Sequence, residues 1–475
     1  MLESANHILP PKGFYKGNRV RLVNALKDKL GCSDNSFILL KGEVEETPYD
    51  EDQIYKFSQD NKFRWRTGCG QPLAHCLISI ATGECTIYTP KVEEFRKFWE
   101  FIMEIEDYTN NFEVEQSKEL GTLESDLAEF KPDTIFILGG GINKYSGKGP
   151  LAPNFDWLSK FNVNNTDLYF IFNELLVRKT PDEQNLLREA ARIGSSAHVF
   201  VMQNARPDMN ESHIQTLFRF CTNIHGHKIE TPYEETCAAD KNASVLQYKM
   251  NNCKILDGQM VLLDAGTKVN GYCSDITTCF PINGKFTDRQ KQIYDIVLRA
   301  HNEVRNYVKP GVSWQEAHCL AEMVILQGLL DIGLIRGGSL EDLWQKRISY
   351  YFLPHGLGHY VGTYAHDLLG DPEKEACQIE ILCQTIRVYR VVEQDMVLTN
   401  EPGCYFIPLL LEKARNDNSI REHFDFDLIN AYANEIKGVR IEGMMIIHAD
   451  HAEELTKVPR TTEQIEKCMA RQPWE

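Results

Sequence analysis

A chain of 475 residues is too long for one ordinary hydrophobic core, so two or three domains are expected, with two as the working count. At 43% hydrophobic and 25% charged residues, the composition is that of a globular protein and excludes wholesale disorder. A formal net charge of −17 at pH 7 argues against nucleic acid or an anionic membrane as partner, since both need basic surface.

In chain order, Met1–Tyr15 has no apolar signal-like core, and no stretch reaches the roughly 18 apolar residues that span a bilayer. A cytoplasmic location without membrane attachment is therefore expected. Leu22, Val23, Leu26 and Leu30 recur at helical spacing, with Gly31 as the C-cap. The apolar run Phe37–Leu40, the alternating Cys85–Tyr88 and the run Thr134–Leu138 read as strands of a mixed sheet. The N-terminal domain, residues 1–176, is thus expected to be α/β. Gly139–Gly149 has the look of a phosphate loop. It fails as one, because Ile142 stands where the first Gly is needed and no Ser or Thr follows Lys148, so a surface loop is predicted.

A second domain, residues 177–475, is predicted to open with a helix at Thr180-Pro181-Asp182-Glu183, a capping box with Pro at the first helical position. Thr287–Gln290 and Ser313–Glu316 are two further boxes, each starting an amphipathic helix. Strands are predicted at Met260–Leu263, Ile276–Phe280, Met396–Thr399 and Val439–Ile447. Helices on a largely antiparallel sheet make this an α+β domain. The fourteen cysteines include no C-x-x-C pair, so neither a redox motif nor a thiolate zinc clip is present, and reduced, mostly buried thiols are expected.

Acidic residues and a histidine cluster at the ends of these strands. Asp264 closes Met260–Leu263, and Asp275 follows eleven residues later; a turn over Gly266–Gly271 would bring the two onto adjacent strands facing one cavity. His359 ends His355-Gly356-Leu357-Gly358-His359, whose glycines argue against the helical His-Glu-x-x-His of zincins. Glu401 follows Val397–Asn400 and precedes Pro402-Gly403, and Glu442 shares a strand face with Arg440. Four carboxylates buried together cost several kcal/mol per uncompensated charge, roughly, and such cavities ordinarily hold cations. Two divalent ions would neutralise all four. Oxygen-rich ligation with one imidazole suits Mn²⁺ or Co²⁺, and a two-metal centre of this kind performs hydrolysis.

The ordered set Asp264, Asp275, His359, Glu401 and Glu442 resembles that of the pita-bread metallopeptidases. Within them it is most similar to the prolidases, or Xaa-Pro dipeptidases, which are related to aminopeptidase P. The flanking segments Lys160–Thr166, Ser274–Thr277, Phe280–Phe286, Pro354–Gly362 and Met396–Gly403 carry the same resemblance. It implies an α/β N-terminal domain plus an α+β pita-bread catalytic domain. By the family pattern Asp264 chelates one metal, His359 and Glu401 hold the other, and Asp275 and Glu442 bridge both. The ions are expected to be Mn²⁺, with Co²⁺ or Zn²⁺ as alternatives. His355, His366 and Glu401 take catalytic roles, and His355 and His366 also contact substrate; Arg387 receives a dipeptide's carboxylate, and Arg440 and Tyr233 lie beside the substrate. The implied substrate is an Xaa-Pro dipeptide or short proline peptide, and the implied assembly is a homodimer.

Three positions depart from that pattern. Gln247 replaces a histidine of the substrate site, the segment from Gln247 to Asp264 is shorter, and Gly443 follows Glu442 where an acidic residue is usual. An Xaa-Pro aminopeptidase acting on longer peptides remains the alternative enzyme, and a pita-bread domain used only for binding is the non-catalytic alternative.

Overall fold

The computed structural model describes residues 9–47, 49–50, 55, 57–140, 148–225, 230–368 and 386–474. Most of the Gly139–Gly149 stretch, residues 141–147, lies outside the described residues, as do residues 1–8 of the N-terminal segment. The chain forms two compact units, Pro10–Leu176 and Val177–Glu475.

The first unit is an α/β fold on a mixed sheet. Its strands are β1 (Ser36–Lys41), β2 (His75–Ser79), β3 (Cys85–Thr89), β4 (Gln116–Glu119), β5 (Thr134–Phe136) and β6 (Val163–Asn164), in the order β4-β3-β2-β1-β5-β6. The β1/β2 and β2/β3 pairs are antiparallel, and β3/β4, β1/β5 and β5/β6 are parallel. Leu39, Leu77, Tyr88, Leu123, Leu127 and Ile135 form its core against one sheet face. The helix Phe14–Leu30 buries Leu22, Val23 and Leu26 and ends at Gly31, whose φ of 60° is the left-handed geometry of a C-cap.

Among the described residues of the second unit the paired strands are antiparallel. Strands β7 (Thr236–Ala239), β8 (Met260–Asp264) and β11 (Thr277–Pro281) form one sheet in the order β11-β8-β7. Strands β9 (Lys268–Val269) and β10 (Tyr272–Cys273) form a short hairpin. Strand β12 (Val397–Asn400) pairs with β15 (Gly443–Ile447), which pairs with β16 (Ala452–Glu454); β13 (Gly403–Tyr405) pairs with β14 (Gly438–Arg440). The helices Pro181–Asn204, Asp288–Tyr307 and Trp314–Asp331 begin at Thr180, Thr287 and Ser313, each with a complete capping box. Such a box satisfies two otherwise orphaned amides and contributes about 1 kcal/mol. Among the described residues no helix is long and apolar enough to cross a membrane, and the twelve described cysteines are free, nine of them buried.

Val439–Ile447 is not one strand. It divides into β14 and β15, with Ile441 and Glu442 between them. The opposing chain breaks at the matching place, where Glu401 and Pro402 separate β12 from β13. Pro402 has no amide hydrogen to continue a ladder, but its carbonyl accepts the Ile441 amide at 3.2 Å. Each of these two breaks therefore releases one glutamate from the strand alternation.

Candidate metal centre

Asp264 is the last residue of β8 and lies opposite Thr236 of β7 and Thr277 of β11. Beyond it Ala265 donates its amide to Ile276 O, and the chain returns through a turn at Asn270-Gly271 with φ of 50° and 89°. Positive φ at both central residues is the type I′ hairpin geometry, so the turn is two residues long rather than spanning Gly266–Gly271. Asp275 is thereby set two residues before Thr277, beside Asp264.

The segment carrying His359 runs along β12. Thr399 N donates to His359 O at 2.9 Å, Glu401 N to Leu357 O at 2.8 Å, and His359 N to Thr399 Oγ1 at 3.0 Å. The approach is so close that a Cβ on Gly358 would meet Thr399 O at 2.1 Å, which is the physical reason for glycine there. His359 Nδ1 sits 3.0 Å from Tyr360 O, so it carries the hydrogen and donates, leaving the Nε2 lone pair to face the carboxylates. Nε2 lies 3.5 Å from Asp275 Oδ2 and 3.4 Å from Glu401 Oε1.

The five predicted ligands thus converge. Donor atoms of Asp264, Asp275 and Glu442 lie within 4.8 Å of one another, and so do those of His359, Glu401 and Glu442. A third such group joins Asp275 and His359 to His366, whose ring centroid is 4.1 Å from that of His359. The donor set fits two divalent cations. Burial and then the Asp264 charge push the Asp275 carboxyl well above its ordinary range, and burial with Asp275 and Glu401 does the same to Glu442. Burial lifts Glu401 to about 7 against the opposing pull of Arg440. Asp264 Oδ1 is buried with no hydrogen-bond partner among the described residues. Crowded, desolvated carboxylates with an orphaned oxygen are what cations would relieve.

Around this cluster the other predicted residues take different places. Arg440 lines the same cavity, but its donors are engaged: Nη2 with Asp264 Oδ2 at 2.5 Å, Nη1 with Tyr405 OH at 3.0 Å, and Nε with Thr277 Oγ1 at 3.1 Å. Tyr405 OH, accepting from Arg440, is left to donate to His355 Nε2 at 2.9 Å, while His355 Nδ1 donates to Gly356 O at 2.8 Å. Burial, followed by Arg440, lowers His355 to about 3, and burial, followed by Arg387, lowers His366 to about 4. Both rings are neutral at physiological pH. Tyr233 donates its hydroxyl to Asp275 Oδ1 at 2.5 Å. Arg387, half-buried, and Gln247, exposed, line the cavity and have no hydrogen bond or ion pair among the described residues. The cavity measures about 820 Å³.

Sequence reasoning missed three supports. Thr277 donates to Glu442 Oε2 at 2.6 Å; its period-2 relation to Asp275 was the available signal. Thr399 faces Glu401 Oε1 at 3.4 Å, and Tyr405 links Arg440 to His355, with nothing local to announce either. The space beside Gly443 is filled from elsewhere: a Cβ there would lie 2.1 Å from Glu454 Oε1 and 2.6 Å from Arg460 Nη2. Arg460 Nη2 in turn donates to Glu442 O at 3.0 Å. An acidic group therefore stands behind Glu442 after all, delivered from β16.

A two-unit chain with an antiparallel catalytic core and an aspartate, histidine and glutamate cluster at its strand breaks defines a metallopeptidase. Residues 185–449 match metallopeptidase family M24 and residues 15–136 match the aminopeptidase P N-terminal domain; the chain belongs to family M24. It is 35% identical to the Xaa-Pro dipeptidase of Mus musculus over 97% of this chain and 94% of that protein, and 34% identical to the Homo sapiens enzyme over the same shares. A protein of Emericella nidulans named "Probable Xaa-Pro aminopeptidase pepP" is 30% identical over 99% of this chain and all of its own length. Zinc-substituted Escherichia coli aminopeptidase P in complex with product superposes with a TM-score of 0.80 at 25% identity, covering 98% of this chain and 99% of that one. The fold is thus an aminopeptidase P-type N-terminal domain followed by a pita-bread catalytic domain.

Proposed function

We propose that this chain hydrolyses the peptide bond between an amino acid and a following proline, with Xaa-Pro dipeptides as preferred substrates. The supporting observation is that five ligands converge in one cavity with an unpaired guanidinium, that of Arg387. Residues 1–176 would form the N-terminal domain and 177–475 the catalytic domain. Asp264 is assigned to one metal, His359 and Glu401 to the other, and Asp275 and Glu442 to both. Mn²⁺ is the proposed ion, with Co²⁺ or Zn²⁺ as substitutes. When bound, the ions supply an activated water at neutral pH and polarisation of the scissile carbonyl.

The chain's own residues would do the rest. Arg387 pairs with the dipeptide carboxylate, a planar acceptor that suits its forked donors, and Gln247 adds a neutral hydrogen bond where a histidine is usual. Glu401 takes the proton from the attacking water and returns it to the proline nitrogen as the C–N bond breaks. His366, uncharged, contacts the substrate and the oxyanion; the Arg440–Tyr405 link holds His355, whose two nitrogens are engaged by Tyr405 OH and Gly356 O, so that it meets the substrate through its ring face. Tyr233 orients Asp275 and Arg440 orients Asp264, a role we assign to Arg440 in place of substrate binding because its donors are already engaged.

The test is hydrolysis of Gly-Pro beside a longer Xaa-Pro peptide after purification without chelator and reloading with Mn²⁺ or Co²⁺. Faster cleavage of the dipeptide supports the reading. Cleavage of the longer peptide alone would make the chain an Xaa-Pro aminopeptidase, and metal-loaded protein that cleaves neither would make it a binding protein. A homodimer in the cytoplasm is proposed from the same resemblance, with neither nucleic acid nor membrane as partner. Light scattering that returns a mass of 54.5 kDa at micromolar concentration would rule out the dimer.

A further inference from the structure

The proposed reading leaves one wall of the cavity unassigned. At about 820 Å³ the cavity lies in the range of roughly 300–1,000 Å³ that takes drug-sized ligands, whereas a dipeptide is smaller than these. That wall is the segment Leu246–Lys249. Leu246, Gln247 and Lys249 line the cavity while Tyr248, between the last two, does not. Leu246 and Gln247 are the central residues of a turn closed by Tyr248 N to Val245 O at 3.1 Å, after which Tyr248 turns away from the cavity and Lys249 returns to its lining.

The far side is firmly anchored. Tyr248 OH donates to Glu211 Oε2 at 2.7 Å, and the same fully buried carboxylate accepts from Ala239 N, Asn242 Nδ2 and Cys253 N at 2.8–2.9 Å. Thr236 Oγ1 donates to Tyr248 O at 2.8 Å, and Asn251 bonds Cys237 N and Glu235 O across the same stretch. Lys249 is therefore presented to the cavity by a fixed backbone. It is solvent-exposed, so it stands at the mouth, and it has no hydrogen bond or ion pair among the described residues. Arg387, likewise without a hydrogen bond or ion pair among the described residues, lines the same cavity as His355, His359 and His366.

We propose that Lys249 is a specificity-determining residue, an outer cation that receives the C-terminal carboxylate of a peptide extending beyond proline. This rests on the Xaa-Pro reading. In a dipeptide the carboxylate is on the proline itself and reaches Arg387. In a longer peptide an amide takes that place, and the free carboxylate emerges towards the mouth, where Gln247 can offer only a neutral donor and Lys249 a charge. The cation missing at position 247 is thus supplied two residues later in the lining of the same cavity.

The test compares the tripeptide Gly-Pro-Ala with its C-terminal amide, in the wild type, Lys249→Met and Lys249→Arg, by the ratio of kcat/KM for acid over amide. The wild type should favour the acid about two- to fivefold, the range of a solvent-exposed ion pair, and added salt should reduce the ratio. Lys249→Met should bring the ratio to near one, and Lys249→Arg should keep it. A ratio that Lys249→Met leaves at the wild-type value overturns the assignment while the peptidase reading stands. If the wild type cleaves neither form, the peptidase reading fails only if Gly-Pro is also left intact. Calorimetric binding of acid and amide forms with the Gly-Pro carbonyl reduced to CH₂ then decides the role of Lys249 without turnover, and equal affinities for the two forms sink it.

Discussion

Two segments beneath the candidate metal cluster approach closely at Gly358, and a single methyl group there should uncouple His359 from Glu401. In Gly358→Ala the new Cβ would lie 2.1 Å from Thr399 O and 2.8 Å from Thr399 C, against an ordinary contact of 3.4 Å or more. The segments must separate by about 1.3 Å at that point, the difference between the two distances, and the obstacle is backbone that cannot rotate aside. The hydrogen bonds Thr399 N to His359 O and Glu401 N to Leu357 O, now 2.9 and 2.8 Å, would stretch towards 4 Å. Overpacking of this kind costs about 1–3 kcal/mol and each of the two weakened backbone bonds about 1 kcal/mol, so a loss of about 3–5 kcal/mol is expected. The functional loss should be larger in proportion, because displacing a reacting group by about 1 Å can reduce the rate about a hundredfold. Urea unfolding monitored by circular dichroism reads the stability, and calorimetric Mn²⁺ titration of the folded variant reads the site. Wild-type stability with wild-type metal affinity would refute the close packing that positions His359.

Other perturbations separate the roles of neighbouring residues. Arg387→Ala should lower kcat/KM by about 2–5 kcal/mol for Xaa-Pro dipeptides and by less for peptides extended past proline; equal losses with unchanged metal content would mean that Arg387 supports the fold. Tyr405→Phe leaves His355 Nε2 and Arg440 Nη1 without their shared partner at a cost of about 1–3 kcal/mol, and should reduce kcat more than it raises KM; a change in KM alone contradicts the link. Burial alone would raise the Glu322 carboxyl, yet His318, Arg347 and Trp344 outweigh it and hold it at about 2. A depressed carboxyl contributes stability above its unfolded value, about 4.3, and that contribution, about 3 kcal/mol, is lost as pH falls from there towards 2. Glu322→Gln should therefore destabilise the protein at pH 7 and flatten its stability profile below pH 4, and unfolding curves that keep the wild-type slope would contradict this.

Much of this was legible because it is local. Capping boxes at Thr180, Thr287 and Ser313 are written within four residues, and the chain folds there as the pattern dictates. The convergence of the candidate ligands is legible for a related reason, because a carboxylate at the end of an apolar strand is an expensive choice that needs an explanation. What escaped depends on distant partners. Arg440 and Asp264 are 176 positions apart, and nothing near Arg440 tells whether its guanidinium meets a substrate or a neighbouring carboxylate. The division of Val439–Ile447 is invisible for the same reason, since Val439 and Ile441 alternate into Met444–Ile447 as one strand would, and the break follows from Pro402 on the opposing chain. The acidic group behind Glu442 likewise comes from β16, a strand whose position no local pattern predicts.

The central claim is that Asp264, Asp275, His359, Glu401 and Glu442 hold two divalent ions together. Metal analysis by plasma mass spectrometry, on chelator-free protein reloaded with Mn²⁺ and dialysed, tests it most directly, in the wild type and in Glu442→Gln. Because Glu442 belongs to both donor groups, two equivalents per chain are predicted for the wild type and one or fewer for the variant, with the variant still folded by circular dichroism. A wild type retaining less than one equivalent, or a variant retaining both, would contradict the shared site.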